Sequence, residues 1–457
     1  MPTSPREIVA SGLCIGCGGC TTLEPSATMG WDANGHLKPS APKSWPTSEA
    51  FAQICPFSPE AANEDVISDD LFPHVQRDTL IGRWAGAYVG HVAEGEYRMG
   101  GSSGGMVSWV AAELLRRGLV DGVAHVTPRS REEGDGRLFG YRISRSVEAL
   151  QQGAKSRYYP VEMSDVLCEI QAVPGRYAVV GIPCFIKAVN LQRRTNPVIA
   201  ERVTHTLGLF CGHMKSAKMV DSFAVQLGAE PQQVAKVDYR LKNADRPANW
   251  YTAQLTLKDG STRQQDWFHL VDGDWGSGFW MNSACNFCDD VVAETADIAF
   301  GDAWVEPYSS DGKGTNVVIT RSALMQDIVA DGIAQGRLTL GAVDNEFVRQ
   351  TQAAGFRQRR EGLAYRLSRA RLPVQPRKRV APSRAIPARR KLIYRMRQSI
   401  SRWSHRTFRL AEGLRAPQLY VRWGKAALAA YHGLAYSRGR VGRWVDRFID
   451  PKKTGGD

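Results

Sequence analysis

Three cysteines within seven residues, Cys14-Ile15-Gly16-Cys17-Gly18-Gly19-Cys20, limit what this chain can fold into more than any other stretch. Small residues between the thiols let a short loop turn all three onto one object. In the bacterial ferredoxin run C-x2-C-x2-C-x3-C-P, the fourth cysteine serves the other cluster of a two-cluster protein. Glu24-Pro25 occupies that place here, and Cys55-Pro56 has the form to supply the missing thiol. The spacing therefore predicts one [4Fe–4S] cluster on Cys14, Cys17, Cys20 and Cys55. A structural zinc site also uses C-x2-C pairs. Zinc ribbons usually bring two separated pairs, whereas three thiols in one loop with a remote Cys-Pro favour iron and sulfide.

Five cysteines remain: Cys168, Cys184, Cys211, Cys285 and Cys288. Cys285-Asn286-Phe287-Cys288 is a half-site that needs two more ligands. Tyr177 to Gly181 reads as a buried strand, Phe185 to Arg194 as a helix and Thr204 to Phe210 as the next strand. Cys184 follows the first strand in Gly181-Ile182-Pro183-Cys184, and Cys211 follows the second in Phe210-Cys211-Gly212-His213. Parallel neighbours would deliver both thiols to the crevice at their carboxyl ends, where open α/β sheets hold ligands. A second [4Fe–4S] cluster on Cys184, Cys211, Cys285 and Cys288 is the functional reading. The plain alternative is that Cys184 and Cys211 are buried small hydrophobes. Cys168, within Val166-Leu167-Cys168-Glu169-Ile170, is expected in the core. His213 reads either as a proton donor beside a cluster sulfur or as a buried, hydrogen-bonded structural histidine.

Residues 1–80 are rich in Pro, Ser and Ala, and stretches such as Pro39-Ser40-Ala41-Pro42-Lys43 read as loops around the first cluster. Strand–helix alternation starts near Trp84. Ala85 to Val92 reads as a strand, Met99 to Gly105 as a loop, Met106 to Arg117 as a helix ended by Gly118, and Gly122 to Thr127 as a strand. Together they suggest a βαβ-like unit with a glycine-rich turn. Asp238 to Leu257 reads as a β-rich excursion with a hairpin turn at Lys258-Asp259-Gly260. Asp297 to Gly301 and Asn316 to Thr320 are further short strands. The loop Gly100-Gly101-Ser102-Ser103-Gly104-Gly105 opens a helix, where backbone N–H groups can meet an anion. It matches neither the Rossmann nor the Walker spacing, and a packing turn explains it equally well.

These stretches, joined by Gly153-Ala154-Lys155-Ser156-Arg157-Tyr158, Ala296-Asp297-Ile298-Ala299-Phe300-Gly301-Asp302 and Gly312-Lys313-Gly314-Thr315-Asn316, occur in one order over about residues 10–350. In that order they resemble the coenzyme F-420 (deazaflavin) hydrogenase/dehydrogenase β-subunit family. The resemblance implies FAD and [4Fe–4S] clusters, with electrons passing between a ferredoxin or redox partner subunit and an organic small-molecule substrate. Some relatives occur beside polysaccharide-biosynthesis enzymes. It further implies a flavin contact for Gly100, Gly101, Ser102, Ser103, Gly104 and Gly105, with Lys155 and Asp302 nearby. Read without it, Lys155 is a surface charge and Gly301-Asp302 a turn. Ala154 stands where the family commonly has Ser.

The expected architecture is α/β. A ferredoxin-like cluster-binding segment (1–80) sits on a mixed α/β flavin-binding domain (81–350), followed by a basic Pro-rich linker (351–388) and a basic amphipathic helical tail (389–457). Charge is split along it. Residues 356–457 hold 27 Lys/Arg and 5 Asp/Glu, leaving 32 and 41 in the rest. In the tail Leu392, Met396, Ile400, Trp403, Leu410 and Leu414 fall roughly on one helical face, flanked by arginines. Such helices read as peripheral membrane-surface elements or as a helical pair docked on the acidic body or on a second copy. Nucleic acid would give redox motifs no use. Nine cysteines without a signal-peptide pattern, and no apolar run of membrane-spanning length, predict a cytoplasmic protein. The expected activity is an FAD- and iron–sulfur-dependent oxidoreductase. The competing readings are an electron-transfer subunit with no substrate of its own and a membrane-surface scaffold that keeps only the fold.

Overall fold

Apolar, β-branched runs bounded by glycine and polar turns assemble into one mixed sheet. The computed structural model describes residues 2–24, 26–40, 45, 48–133 and 135–449. The sheet's strands are β1 (Gly86–Val92), β2 (Gly122–Pro128), β3 (Phe139–Ser144), β4 (Tyr177–Gly181), β5 (Val203–Leu209), β6 (Ile298–Asp302), β7 (Asn316–Thr320) and β8 (Leu338–Ala342). Their spatial order is β8-β1-β7-β6-β5-β4-β2-β3. Strands β6, β5, β4 and β2 run parallel. Antiparallel β3 closes one edge, and β7, β1 and β8 alternate in direction at the other. Because both faces are covered, β4 is buried along its whole length. Its Tyr177 and Val179 enter the core on one face, and Ala178 and Val180 enter the core on the other.

Helix α1 (Met106–Arg116) follows β1 as its apolar spacing predicts, and Gly118 at φ +62° ends the turn after it. The strands it joins are not neighbours, however. Four strands separate β1 from β2. Two of these, β6 and β7, come from residues beyond 297, so the local pattern fixes the elements but not their pairing. Helix α2 (Pro183–Thr195) does join adjacent parallel strands, β4 and β5. Pro183 begins it at a position where a missing N–H costs nothing.

Three departures from the sequence reading have physical causes. The N-terminal segment contains helices Pro5–Ala10, Glu49–Ile54 and Glu64–Leu71 and a hairpin of Thr28–Trp31 with Leu37–Ser40. Pro39 and Ser40 therefore end a strand, and residues 41–43 of the expected loop lie outside the described ones. Cys168 is exposed, not core. On helix Ser164–Ala172 the inward face is Val166, Leu167 and Ile170, and a helical turn carries Cys168 to the other side. The β-rich excursion is a separate antiparallel sheet of Val234–Asp238, Thr252–Leu257 and Thr262–Asp266, with Gly260 at φ +83° in the expected hairpin turn.

Helices Asn345–Thr351, Ala353–Arg359 and Glu361–Leu367 occupy the start of the basic region, and residues 368–387 carry no helix. That extended stretch is pinned to the body. Arg379 meets Glu294 at 2.6 and 2.8 Å and Asp65 at 2.8 Å, and Lys378 meets Asp289 at 3.3 Å. Alongside, Lys187 of α2 pairs with Glu64 at 3.1 Å. Burial opposes the charge on Asp289, but Lys378, Arg379 and Lys187 outweigh it and hold the carboxyl well below its usual range.

Helices α3 (Ala388–Gly413), α4 (Pro417–Tyr436) and α5 (Gly439–Phe448) follow. Buried Trp280 of the body sits between His405, Phe408 and Tyr420, each ring 5.3 Å away. Ser401 donates to the Met281 carbonyl at 2.9 Å, and the Trp280 N–H donates to Ser404 at 3.2 Å. The docked face of α3 is therefore Ile393, Ile400, Ser404, Phe408 and Ala411, while Trp403, Leu410 and Leu414, expected on the apolar face, are exposed. Trp280 selects a stripe offset from the one that composition suggests. Replacing Arg379 with Met leaves Glu294 and Asp289 short of compensation and is expected to cost about 3–5 kcal/mol, measured by urea unfolding.

Candidate functional site

The loop bearing the first three cysteines is shaped by its glycines. Gly16, at φ +84°, would bring a Cβ within 2.3 Å of the Leu37 carbonyl oxygen, and Gly18, at φ +81°, within 2.7 Å of Glu162. The body takes up the loop's carbonyls. The Met163 N–H donates to Cys17 at 2.9 Å, Gln192 to Gly19 at 3.0 Å, and Lys38 to Cys14. Cys55 caps helix Glu49–Ile54. Cys14, Cys17, Cys20 and Cys55 all line one small apolar cavity with Ile8, Phe51 and Phe57. Burial, and then the neighbouring thiols, raise the Cys17 thiol to about 12 and push Cys20 and Cys55 up as well.

The second four converge at the carboxyl edge of the sheet. Cys184 stands in the first turn of α2 after β4, and Cys211 follows β5, its N–H donating to the Val291 carbonyl at 2.9 Å. Cys285 lies in the short helix Ser283–Phe287, and Cys288 caps it. The Met214 N–H donates to the Cys285 sulfur at 3.3 Å. Burial raises the Cys184 thiol, and Cys288, Cys211, Cys285 and then Cys17 add to the rise, so the two sets feel each other through Cys17 and Cys184. Burial carries Cys211 to about 12 and Cys285 to about 11. Among the described residues, no three Cys, His, Asp or Glu side chains stand close enough to hold a single metal ion.

Arg359, from the basic region, is buried against this set and donates to the Gly212 carbonyl at 2.8 Å. Burial works against its charge, yet Cys288, Cys211 and Cys285 raise its affinity for the proton overall. Arg366 donates to the Asn286 carbonyl at 2.7 Å between Cys285 and Cys288. His213 is buried, its Nε2 without a hydrogen-bond partner, and its ring stacks on Trp275 at 4.5 Å. Burial, Lys215 and Arg397 hold it neutral, well below the usual imidazole range.

Loop 100–105 leaves β1 at the same edge where Asp302 ends β6, about 14 Å by strand spacing from the end of β5. Gly104 and Gly105 are filled positions: a Cβ would come within 2.8 Å of Asn316 and 2.5 Å of the Tyr97 carbonyl oxygen, respectively. Gly100 faces open space. The Ser156 N–H donates to Ser102 Oγ at 2.9 Å, joining this loop to Lys155, whose φ of +106° is rare for a side-chain-bearing residue. Lys155 pairs with Asp238 at 3.0 Å, and Asp302 with Arg240 at 3.0 and 3.3 Å. Lys242 donates to the carbonyls of Arg98, Ser103 and Lys313. Burial, then Arg240, Lys155 and Arg98, lower its ammonium to about 7. A polar cavity of about 500 Å³ opens beside it, lined by Asn243, Arg246, Thr252, Gln264 and Gln265. Trp275 and Tyr158, with ring centroids 4.8 Å apart, stand between His213 and this group, and Arg240 lies over Tyr251 at 4.3 Å.

The structure thus gathers each proposed cysteine set, and it links loop 100–105 to Lys155 and, through Lys242 and Arg240, to the neighbourhood of Asp302. Sequence reasoning missed Arg359, Arg240 and Lys242. Arg240 and Lys242 were detectable as cations two apart following Asp238, whereas Arg359 has no distinguishing signal among its neighbouring arginines.

A fold of this kind, with its motifs in this order, is that of a redox β-subunit family. Residues 87–168 match the N-terminal part, and residues 175–346 the C-terminal part, of the coenzyme F420 hydrogenase/dehydrogenase beta-subunit family. The chain belongs to that family. It is 22% identical over 330 residues to coenzyme F420-dependent sulfite reductase of Methanocaldococcus jannaschii, covering 69% of this chain and 45% of that protein. The chain thus spans less than half the length of that relative. It is 21% identical over 309 residues to the F-type subunit of F(420)H(2) dehydrogenase from Methanosarcina mazei, covering 66% of this chain and 78% of that protein. A chain of the F420-reducing [NiFe] hydrogenase complex from Methanosarcina barkeri aligns at 17% identity and TM-score 0.49, over 65% of this chain and 97% of that one.

Because Cys168 is exposed while the other thiols are recessed, alkylation of the native chain with iodoacetamide is expected to label Cys168 first. Peptide mass mapping over a time course reads the order.

Proposed function

We propose that this chain is an iron–sulfur flavoprotein oxidoreductase working with a redox partner subunit. The observation that carries the reading is the gathering of eight cysteines into two half-buried sets whose members feel one another's charge. Sets too open for one ion, walled by apolar residues and backed by buried Arg359, fit a larger anionic group such as a [4Fe–4S] cluster better than zinc. Cys14, Cys17, Cys20 and Cys55 would hold one, and Cys184, Cys211, Cys285 and Cys288 the other. The family and the relatives' names support an oxidoreductase role beside other subunits.

Loop 100–105 with Lys155, Arg240 and Lys242 fits a diphosphate-bearing flavin such as FAD. Lys242 is held only by backbone carbonyls and is crowded by cations, so it lacks the negative charge that a phosphate would bring. When bound, a flavin takes up a hydride as a pair and passes electrons singly, which bridges clusters and an organic substrate. The chain's own contribution is to bind and orient. Lys155 and Asp302, each already fixed by a partner of opposite charge, position the polar end of the ring. The cavity beside Lys242 is sized for a small organic substrate. Trp275 and Tyr158 exclude water between the second cysteine set and that cavity. A link to polysaccharide synthesis rests on the family resemblance alone.

Anaerobically purified protein is expected to contain iron, acid-labile sulfide and releasable FAD. Cys288→Ser should lose about half the iron. A colourless, zinc-loaded chain overturns the reading, and unchanged iron in Cys288→Ser restricts it to the N-terminal set.

Lys242 gives a pH signature. Its charge favours an anion and is lost as pH rises through about 7, so FAD affinity is expected to fall between pH 6 and 8.5. Lys242→Met should weaken binding at pH 6 by about tenfold and flatten the profile, as read by flavin fluorescence titration.

A further inference from the structure

The side of α3 turned away from Trp280 carries a second pattern. Arg395, Arg402, Arg406 and Arg409 recur at helical spacing and are all exposed, as is Arg415 in the turn to α4. Beside them stand Trp403, 47% exposed, and, around the hairpin tip, Leu410 at 60%, Leu414 at 59% and Leu419 at 44%. Arg406 lies over the Trp403 ring, 5.3 Å from its centroid. Between 395 and 425 the sequence has a single acid, Glu412, and it is drawn to Lys218 of the body at 2.9 Å.

The tail's attachment to its own chain is already made by the opposite, apolar face. Large side chains left in water next to a run of arginines therefore need another partner. We propose that this face seats on an anionic lipid bilayer. Leu410, Leu414 and Leu419 enter the boundary between headgroups and acyl chains, and the arginines lie along the lipid phosphates with their stems against the apolar layer. No described helix is long and apolar enough to cross a membrane, so the contact is parallel to the surface. An acidic protein or a nucleic acid would match the arginines but leaves three leucines gathered at one tip without a role.

The test uses the full chain and needs no cofactor, so its failure leaves the redox reading standing. Protein is sedimented with vesicles of phosphatidylcholine alone and of phosphatidylcholine mixed with phosphatidylserine. Binding is expected only with the anionic vesicles and to weaken with salt. Arg402→Gln/Arg406→Gln/Arg409→Gln should reduce partitioning by about a hundredfold. Leu410→Ser/Leu414→Ser should reduce it at least about tenfold while leaving the salt dependence. All five positions are exposed, and matched thermal unfolding by circular dichroism confirms that both variants fold. Absence of binding to anionic vesicles overturns the proposal. So does binding that both variants retain. Binding that depends on the arginines but is indifferent to the leucines overturns the bilayer in favour of an acidic macromolecule.

Discussion

Charge buried against charge is the interaction on which the arrangement of this molecule rests. Glu64 comes from the N-terminal segment, Lys187 from the helix that begins with Cys184, Asp289 and Glu294 from the stretch after Cys288, and Lys378 and Arg379 from the basic region. Four regions far apart in sequence meet at this node. None of these charges can be removed without leaving its partner unsolvated, so their relative placement is enforced by penalty more than by attraction. Both cysteine sets flank the node. Their separation is thereby set by a group of residues that touches neither thiol set's interior.

The sheet supplies the second constraint. Strands β4, β5 and β6 are parallel and adjacent, so the chain leaves all three at one edge, delivering Cys184, Cys211 and Asp302 in spatial sequence. Strand β1 points the same way through two antiparallel steps and adds loop 100–105. Glycines at 16, 18, 104 and 105 then allow backbone to come where a side chain would collide. The result is a row of chemically different loops along one rim, with an aromatic partition of Trp275 and Tyr158 across it.

Much of this was legible beforehand. Apolar runs of five to seven residues located β4, β5 and β7, and helical spacing located α1 and α2, because each pattern is local. Cysteine spacing grouped all eight thiols, since the fold of the loop is nearly dictated by the glycines among them. What could not be read depends on distant partners. The pairing of β1 with β7 is decided by residues over two hundred positions away. The docked stripe of α3 is chosen by Trp280, and the exposure of Cys168 follows from which side of its helix meets the sheet. Arg359 looked like one charge in a basic run. Only the packing distinguishes a guanidinium inserted beside thiols from those that meet water.

That insertion has a consequence for biogenesis. The ribosome releases Cys14 first and Cys288 long before Arg359, Arg366 and Arg379, so the nascent chain carries eight exposed thiols and an acidic body before any of their basic counterparts exist. The region shared with the family ends at 346. In this chain it is not a self-sufficient unit, because the guanidiniums that neutralise and cover the second set are translated after it. Maturation of that set is therefore a post-translational event, timed by completion of the C-terminal third and not by emergence of the cysteines themselves.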